Sequence, residues 1–129
     1  DVTVTNSSLV SQTNVTLTGS GTLTVTDAVA LNQTSIQAAI FTNSATVSMT
    51  STGAGALSGD GTWIQGLNST FNYAGSTITV STFDADNSGN TVNYNQSGNQ
   101  TILSSTYHHL TLSNSGTKTA GGYINLHGN

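Results

Sequence analysis

The side chains with the most specific chemical pattern lie in the run Asp84-Ala85-Asp86-Asn87-Ser88-Gly89-Asn90. Oxygen donors at alternate positions, with a glycine at the sixth, match the opening of a calcium loop. Asp84, Asp86 and Asn87 are the candidate ligands, and calcium is the one candidate cofactor. Such a loop closes on a bidentate glutamate, and the chain contains no Glu. Asp, Asn, Ser and Gly are also the residues that turns favour. The expectation is therefore a polar turn with no bound cofactor.

Other constellations are weaker still. His108 and His109 are adjacent, so on a strand they point to opposite faces, and only one of them can share a site with His127. His108 has the parity of Leu110 and Leu112 and is expected to lean inward as a structural residue. No Ser is flanked by Gly two residues before and two after, so the nucleophile elbow is absent. No Gly-x-Gly-x-x-Gly occurs. Paired-carboxylate hydrolysis would have to draw on only five Asp. The chain reads as a non-enzyme. Lys118 is the only Lys or Arg, in a polar stretch where solvation is expected.

Composition narrows the partners. Ser, Thr, Asn and Gly make up 70 of the 129 residues, charged residues 5%, and the net charge is −4. One cation cannot neutralise a nucleic-acid backbone, because each phosphate contact draws on a Lys or Arg. A basic membrane-surface helix fails for the same reason, and no apolar run is long enough to span a bilayer. There is no Cys and therefore no disulfide. The chain opens on Asp1 without a charged-then-apolar leader, which reads as a processed or excised chain. Scarcity of Lys, Arg and Glu suggests an extracellular or cell-surface location.

The elements that must position these residues follow a period of two. Val2-Thr3-Val4-Thr5, Val15-Thr16-Leu17-Thr18, Thr22-Leu23-Thr24-Val25-Thr26 and Leu110-Thr111-Leu112 alternate apolar and polar side chains. That is the pattern of strands with one buried and one wet face. Gly-containing breaks recur between them, as at Gly19-Ser20-Gly21 and Ser58-Gly59-Asp60-Gly61. Residues 27–41 lack Gly. They read either as a helix capped by Asp27 or as two buried strands joined at Asn32-Gln33. The fold class is all-β, in one domain over residues 1–129: β-solenoid-like or stacked-sheet, with a β-sandwich or jelly-roll pilin-like unit as the alternative.

The second half has a recurrent grammar. The runs NTVNYNQSGNQTI, YHHLTLSNSGTKTAGG and YINLHGN lie within residues 70–129. They resemble the repetitive strand segments of large bacterial surface and secreted proteins, the adhesins and stalks. The resemblance implies a parallel solenoid or stacked-sheet stalk with structural and adhesive roles.

Edge strands are ordinarily guarded by Lys, Pro or inward charge. This chain has no Pro and one Lys, so either neighbouring copies cover its strand edges or the chain is a segment of a longer solenoid. The expected function is a self-assembling filament or stalk subunit joined by β-augmentation. Val2, Thr3, Val4 and Thr5 are the candidate donor strand, and Asn6-Ser7-Ser8 its hinge. Val4→Pro is expected to leave a folded but poorly polymerising chain. The alternative is a carbohydrate-binding adhesin module for surface glycans, with Trp63, Tyr73, Tyr94, Tyr107 and Tyr123 as an aromatic platform. Ranks of Thr-x-Thr also raise ice binding, but their uneven spacing argues against stacking in register.

Overall fold

The computed structural model describes residues 2–4 and 12–128, with side chains from residue 15 onward. The described residues form fifteen strands and no helix. In order they are β1 (Val2–Val4), β2 (Gln12–Thr18), β3 (Thr22–Val25), β4 (Val29–Gln37), β5 (Ile40–Asn43), β6 (Thr46–Met49), β7 (Ala54–Gln65), β8 (Thr70–Tyr73), β9 (Thr77–Asp84), β10 (Thr91–Tyr94), β11 (Gln100–Ile102), β12 (Ser105–Tyr107), β13 (His109–Leu112), β14 (Lys118–Ala120) and β15 (Ile124–Leu126).

Every strand pairing among them is parallel. A parallel partner cannot be reached through a tight hairpin, so the chain completes a circuit before it pairs. Leu23, Phe41, Trp63 and Phe83 are successive partners, 18, 22 and 20 residues apart. Three ladders result. The first contains β1, β3, β5, the ends of β7 and β9, β12 and β15. The second contains the start of β4, then β6, β8, β10 and β13. The third contains β2, the end of β4, the starts of β7 and β9, β11 and β14. The molecule is thus a three-sided parallel β-solenoid of about 6 turns. At ~4.8 Å per strand spacing, six rises make a coil ~29 Å long. The sandwich alternative fails because sandwiches are built from antiparallel sheets.

Residues 27–41 correct the sequence reading. Alternation carries β4 as one strand through Asn32-Gln33, from the second ladder into the third, with no helix and no break.

Unequal repeats keep register because the surplus residues are absorbed at bulges. Between Gly59 and Thr62, β7 has two residues where β9 has one. Gly59 has φ +113°, and a Cβ there would lie 2.1 Å from the Ile36 carbonyl oxygen, so no side chain fits this bend. Asp60, beside it, accepts the Ala38 N–H at 2.8 Å and satisfies the corner opposite. Thr46, Thr70 and Thr91 therefore stack in register as single threonines, none of them part of a Thr-x-Thr pair. Beside them runs a hydrogen-bonded outer column. Asn72 donates to Ser48 (3.1 Å), Asn93 to Asn72 (3.2 Å), and Ser113 to Asn93 (2.8 Å).

Inside, each inward position meets its equivalent one coil away. Val47, Phe71 and Val92 form one column, and Met49, Tyr73 and Tyr94 another. Trp63 is fully buried, stacked on Phe41 at 4.4 Å and 4° and tilted onto Phe71 at 4.4 Å. One corner is polar yet satisfied in part by itself. Buried Asn43 donates to Gln65 (3.1 Å) and to the Thr70 carbonyl (2.8 Å), and accepts the Ala45 N–H (3.0 Å). The Trp63 indole N–H donates to Gln65 Oε1 at 3.2 Å. These bonds fix where one ladder ends and the next begins.

Candidate functional site

Four of the five aromatic residues expected on the surface are in the core. Trp63, Tyr73, Tyr94 and Tyr107 are fully buried, and only Tyr123 is exposed. They stack because strand parity turns them inward, so the glycan platform does not exist as drawn. Their hydroxyls are engaged inside. Tyr107 donates to the Leu103 carbonyl (2.8 Å) and Tyr94 accepts the Leu103 N–H (3.1 Å). The 3.1 Å contact between the two hydroxyls therefore carries the Tyr94 proton toward Tyr107. Burial pushes the phenols of Tyr73, Tyr94 and Tyr107 upward, keeping them neutral.

Asp84 and Asp86 are brought together at the first corner. The Asp84 carboxylate accepts the Asp86 N–H at 3.4 Å. Desolvation raises the Asp84 carboxyl above its ordinary value; the Asp86 N–H bond opposes this, and the Asp86 side chain, by hydrogen bonding and then by its charge, adds to it. A raised acid is more stable protonated, so its contribution is present at acid pH and is lost as pH rises through the carboxylate range. Asn87 is drawn away from that pair, because its amide donates to the Gln65 carbonyl at 3.0 Å. Among the described residues no group of three or more His, Asp or Glu side chains converges as a metal site would. His108 is half-buried at a corner and accepts the Gly89 N–H on Nδ1 at 3.2 Å. His127 faces Asn125 instead.

Lys118 departs from the solvation expected of it. Its ammonium is not free in solvent. It donates to the carbonyls of Gln96 (2.6 Å), Gly98 (3.0 Å) and Ser115 (3.3 Å). Two of these belong to the coil beneath, so the one cation is turned back into the molecule and does not guard its strand edge. Lys118→Met keeps the apolar stem and removes the donors. It is expected to lower the melting midpoint by about 3–8 °C, through loss of charge-assisted hydrogen bonds. A thermal scan showing no change would mean that the three carbonyls are satisfied without it.

The donor strand is not extended from the body. β1 is paired in parallel with β3, with Val2 opposite Leu23 and Val4 opposite Val25. Thr5 and the hinge at Asn6-Ser7-Ser8 lie outside the described residues.

The arrangement that stands out is at the other end. Core columns run through the solenoid to β13, β14 and β15, over which no further strand lies among the described residues. Tyr94 is fully buried, and its partner Leu112 is 50% exposed. Tyr107 is fully buried, and its partner Leu126 is 55% exposed. Buried Ile102 gives way to exposed Ala120. Beside these columns is an open cleft of about 420 Å³ that includes His109, Leu110 and Leu126. At the N-terminal end a cleft of about 350 Å³ is lined by Leu17, Leu23 and Ala39 among others.

Sequence parity had already turned Leu110 and Leu112 inward. It had not shown that they belong to the final rung. The alignment of TFNY, TVNY and HLTL (residues 70–73, 91–94 and 109–112) is the signal that places them there. Comparison of the chain with protein-family models, with curated proteins and with solved structures found no match.

Proposed function

We propose that the chain is an extracellular or cell-surface structural unit that builds a filament or stalk by end-to-end strand pairing with copies of itself. The observation that carries this reading is the emergence of intact core columns at Leu112 and Leu126 on an end with three open strand edges. An unpaired parallel edge offers backbone donors and acceptors in the register that another coil needs. No Pro interrupts those edges, and the single Lys is tied down. The likeness of residues 70–129 to bacterial surface stalk segments points the same way. The scarcity of Lys, Arg and Glu suits an extracellular or cell-surface location. Nothing in this role calls for a catalytic residue or a cofactor.

Sedimentation across a concentration series tests the reading. Assembly should grow with concentration and change little between low and molar salt, because so few charges leave screening little to act on. A chelator should leave the assemblies intact. Dissolution by salt would replace strand pairing with ionic bridging, and dissolution by chelator alone would bring calcium at Asp84 and Asp86 into the joint.

A further inference from the structure

The corner between the first and second faces changes length from coil to coil. Ala85 pairs with Tyr107, and Thr91 with His109. Between those pairings one coil has five residues, Asp86 to Asn90, and the coil above it has one, His108. The five bulge away from the ladder, and His108 lies across them. From beneath, the loop is tied by neutral groups. Asn87 and Asn90 each donate a side-chain amide to the Gln65 carbonyl at 3.0 Å, and the Ser88 carbonyl accepts the Asn68 N–H at 3.0 Å. Gly89, with φ +73°, is pressed against the same coil: a Cβ there would lie 2.0 Å from Asn68 Oδ1. From above, the Gly89 N–H donates to His108 Nδ1 at 3.2 Å. A backbone N–H can only donate, so the accepting Nδ1 carries no proton and the neutral imidazole holds its hydrogen on Nε2.

We infer that His108 is a pH-operated latch on the Asp86–Asn90 loop: neutral, its Nδ1 pins Gly89 to the coil above; protonated, it lets the loop go while the ladders stay paired. Protonation places an N–H on Nδ1, so two donors face each other and the bond is lost. The bond therefore belongs to the alkaline side of the imidazole titration and disappears on the acid side. The backbone bonds at this corner do not use the ring. The His108 N–H donates to the Ala85 carbonyl at 2.8 Å and the His109 N–H to the Asn90 carbonyl at 3.1 Å. The titratable groups around the ring come from three elements. His109, next along the chain, meets it edge-on with centroids 4.3 Å apart. Asp84 and Asp86 belong to the coil beneath, at the end of β9 and the start of the loop. His127 follows β15 on the coil above, its Nε2 against the Asn125 amide at 2.9 Å. The two carboxylates are countercharges for a protonated ring, and the two imidazoles are rival sites for the proton. The latch acts within one chain and needs no second copy.

Nuclear magnetic resonance of the full chain tests this. The Gly89 amide and the His108 ring nitrogens should titrate with one midpoint. Across it the exchange protection of the Gly89 amide, corrected for the intrinsic rate, should fall about fivefold or more on acidification, the worth of one hydrogen bond. Protection of the Thr91 amide, bonded to the Ser69 carbonyl at 2.9 Å, should hold. His108→Asn offers a non-titrating oxygen near the place of Nδ1 and should keep Gly89 protected on both sides of the midpoint. His108→Ala should leave it unprotected on both. In His109→Gln and His127→Gln the step should persist. Gly89 protection that does not change across the His108 titration, a step that survives in His108→Asn, or a step lost in either of the other histidine variants overturns the inference.

Discussion

Trp63→Ala is expected to lower the unfolding free energy by about 3–5 kcal/mol and the melting midpoint by roughly 10–20 °C. Trp63 is the largest side chain in the core and lies between Phe41 and Phe71 at 4.4 Å from each. Truncation removes that apolar volume and opens a cavity in a column whose neighbours belong to different coils. In a stacked array each coil is held by the ones beside it, so a cavity in the middle weakens the coupling on both sides. The indole N–H bond to Gln65 is lost as well, leaving that amide less satisfied at the polar corner. Trp63→Phe should recover most of the loss, because it keeps a ring in the stack and removes only the donor. Circular dichroism melts of the three proteins check this; an unchanged midpoint for Trp63→Ala would mean that the aromatic column is not what holds the coils in register.

Leu112→Asp should leave the folded coil nearly as stable as before and raise the critical concentration for assembly about a hundredfold or more. The first half follows from exposure: half of Leu112 is already in solvent, and surface substitutions of this kind change stability little. The second follows from burial on stacking. A coil landing on β13 would place the aspartate on the column above Tyr94, away from water and without a partner cation, which costs several kcal/mol. Leu67→Asp is the control. Leu67 is more exposed still, at 64%, but lies at a side corner and not at an end. Light scattering should therefore show loss of assembly for Leu112→Asp and none for Leu67→Asp. The reverse pattern would move the contact from the ends to the flank.

Much of this fold is legible in the sequence, because solenoid strands keep a strict period of two. Parity alone turns Phe71, Tyr73, Val92 and Tyr94 inward, and they are fully buried. The same rule shows that Trp63, Tyr73, Tyr94 and Tyr107 are core residues, once the register is known. What parity does not carry is which coil a strand belongs to. Repeats 18, 22 and 20 residues long blur a fixed period, and the bulge at Gly59 shows why: the extra residues sit in bends where the ladder does not count them. Lys118 could not be placed from sequence, since its three carbonyl partners come from turns of two coils. Residues 27–41 left helix and strand both open for a different reason. Ala and Gln favour helix weakly, and the pairing of β4 with β6 and with β7 overrides that preference. The exposed end, finally, is a property of the stack and not of any one strand.

The most direct test of end-to-end assembly is electron cryo-microscopy of the chain concentrated until it sediments. The expected image is an unbranched rod with strands perpendicular to its axis at a spacing of ~4.8 Å, each three-sided coil passing into the next copy without a break in the parallel ladders. Monomers at every concentration, or copies joined side by side with β13, β14 and β15 still open to solvent, would contradict it.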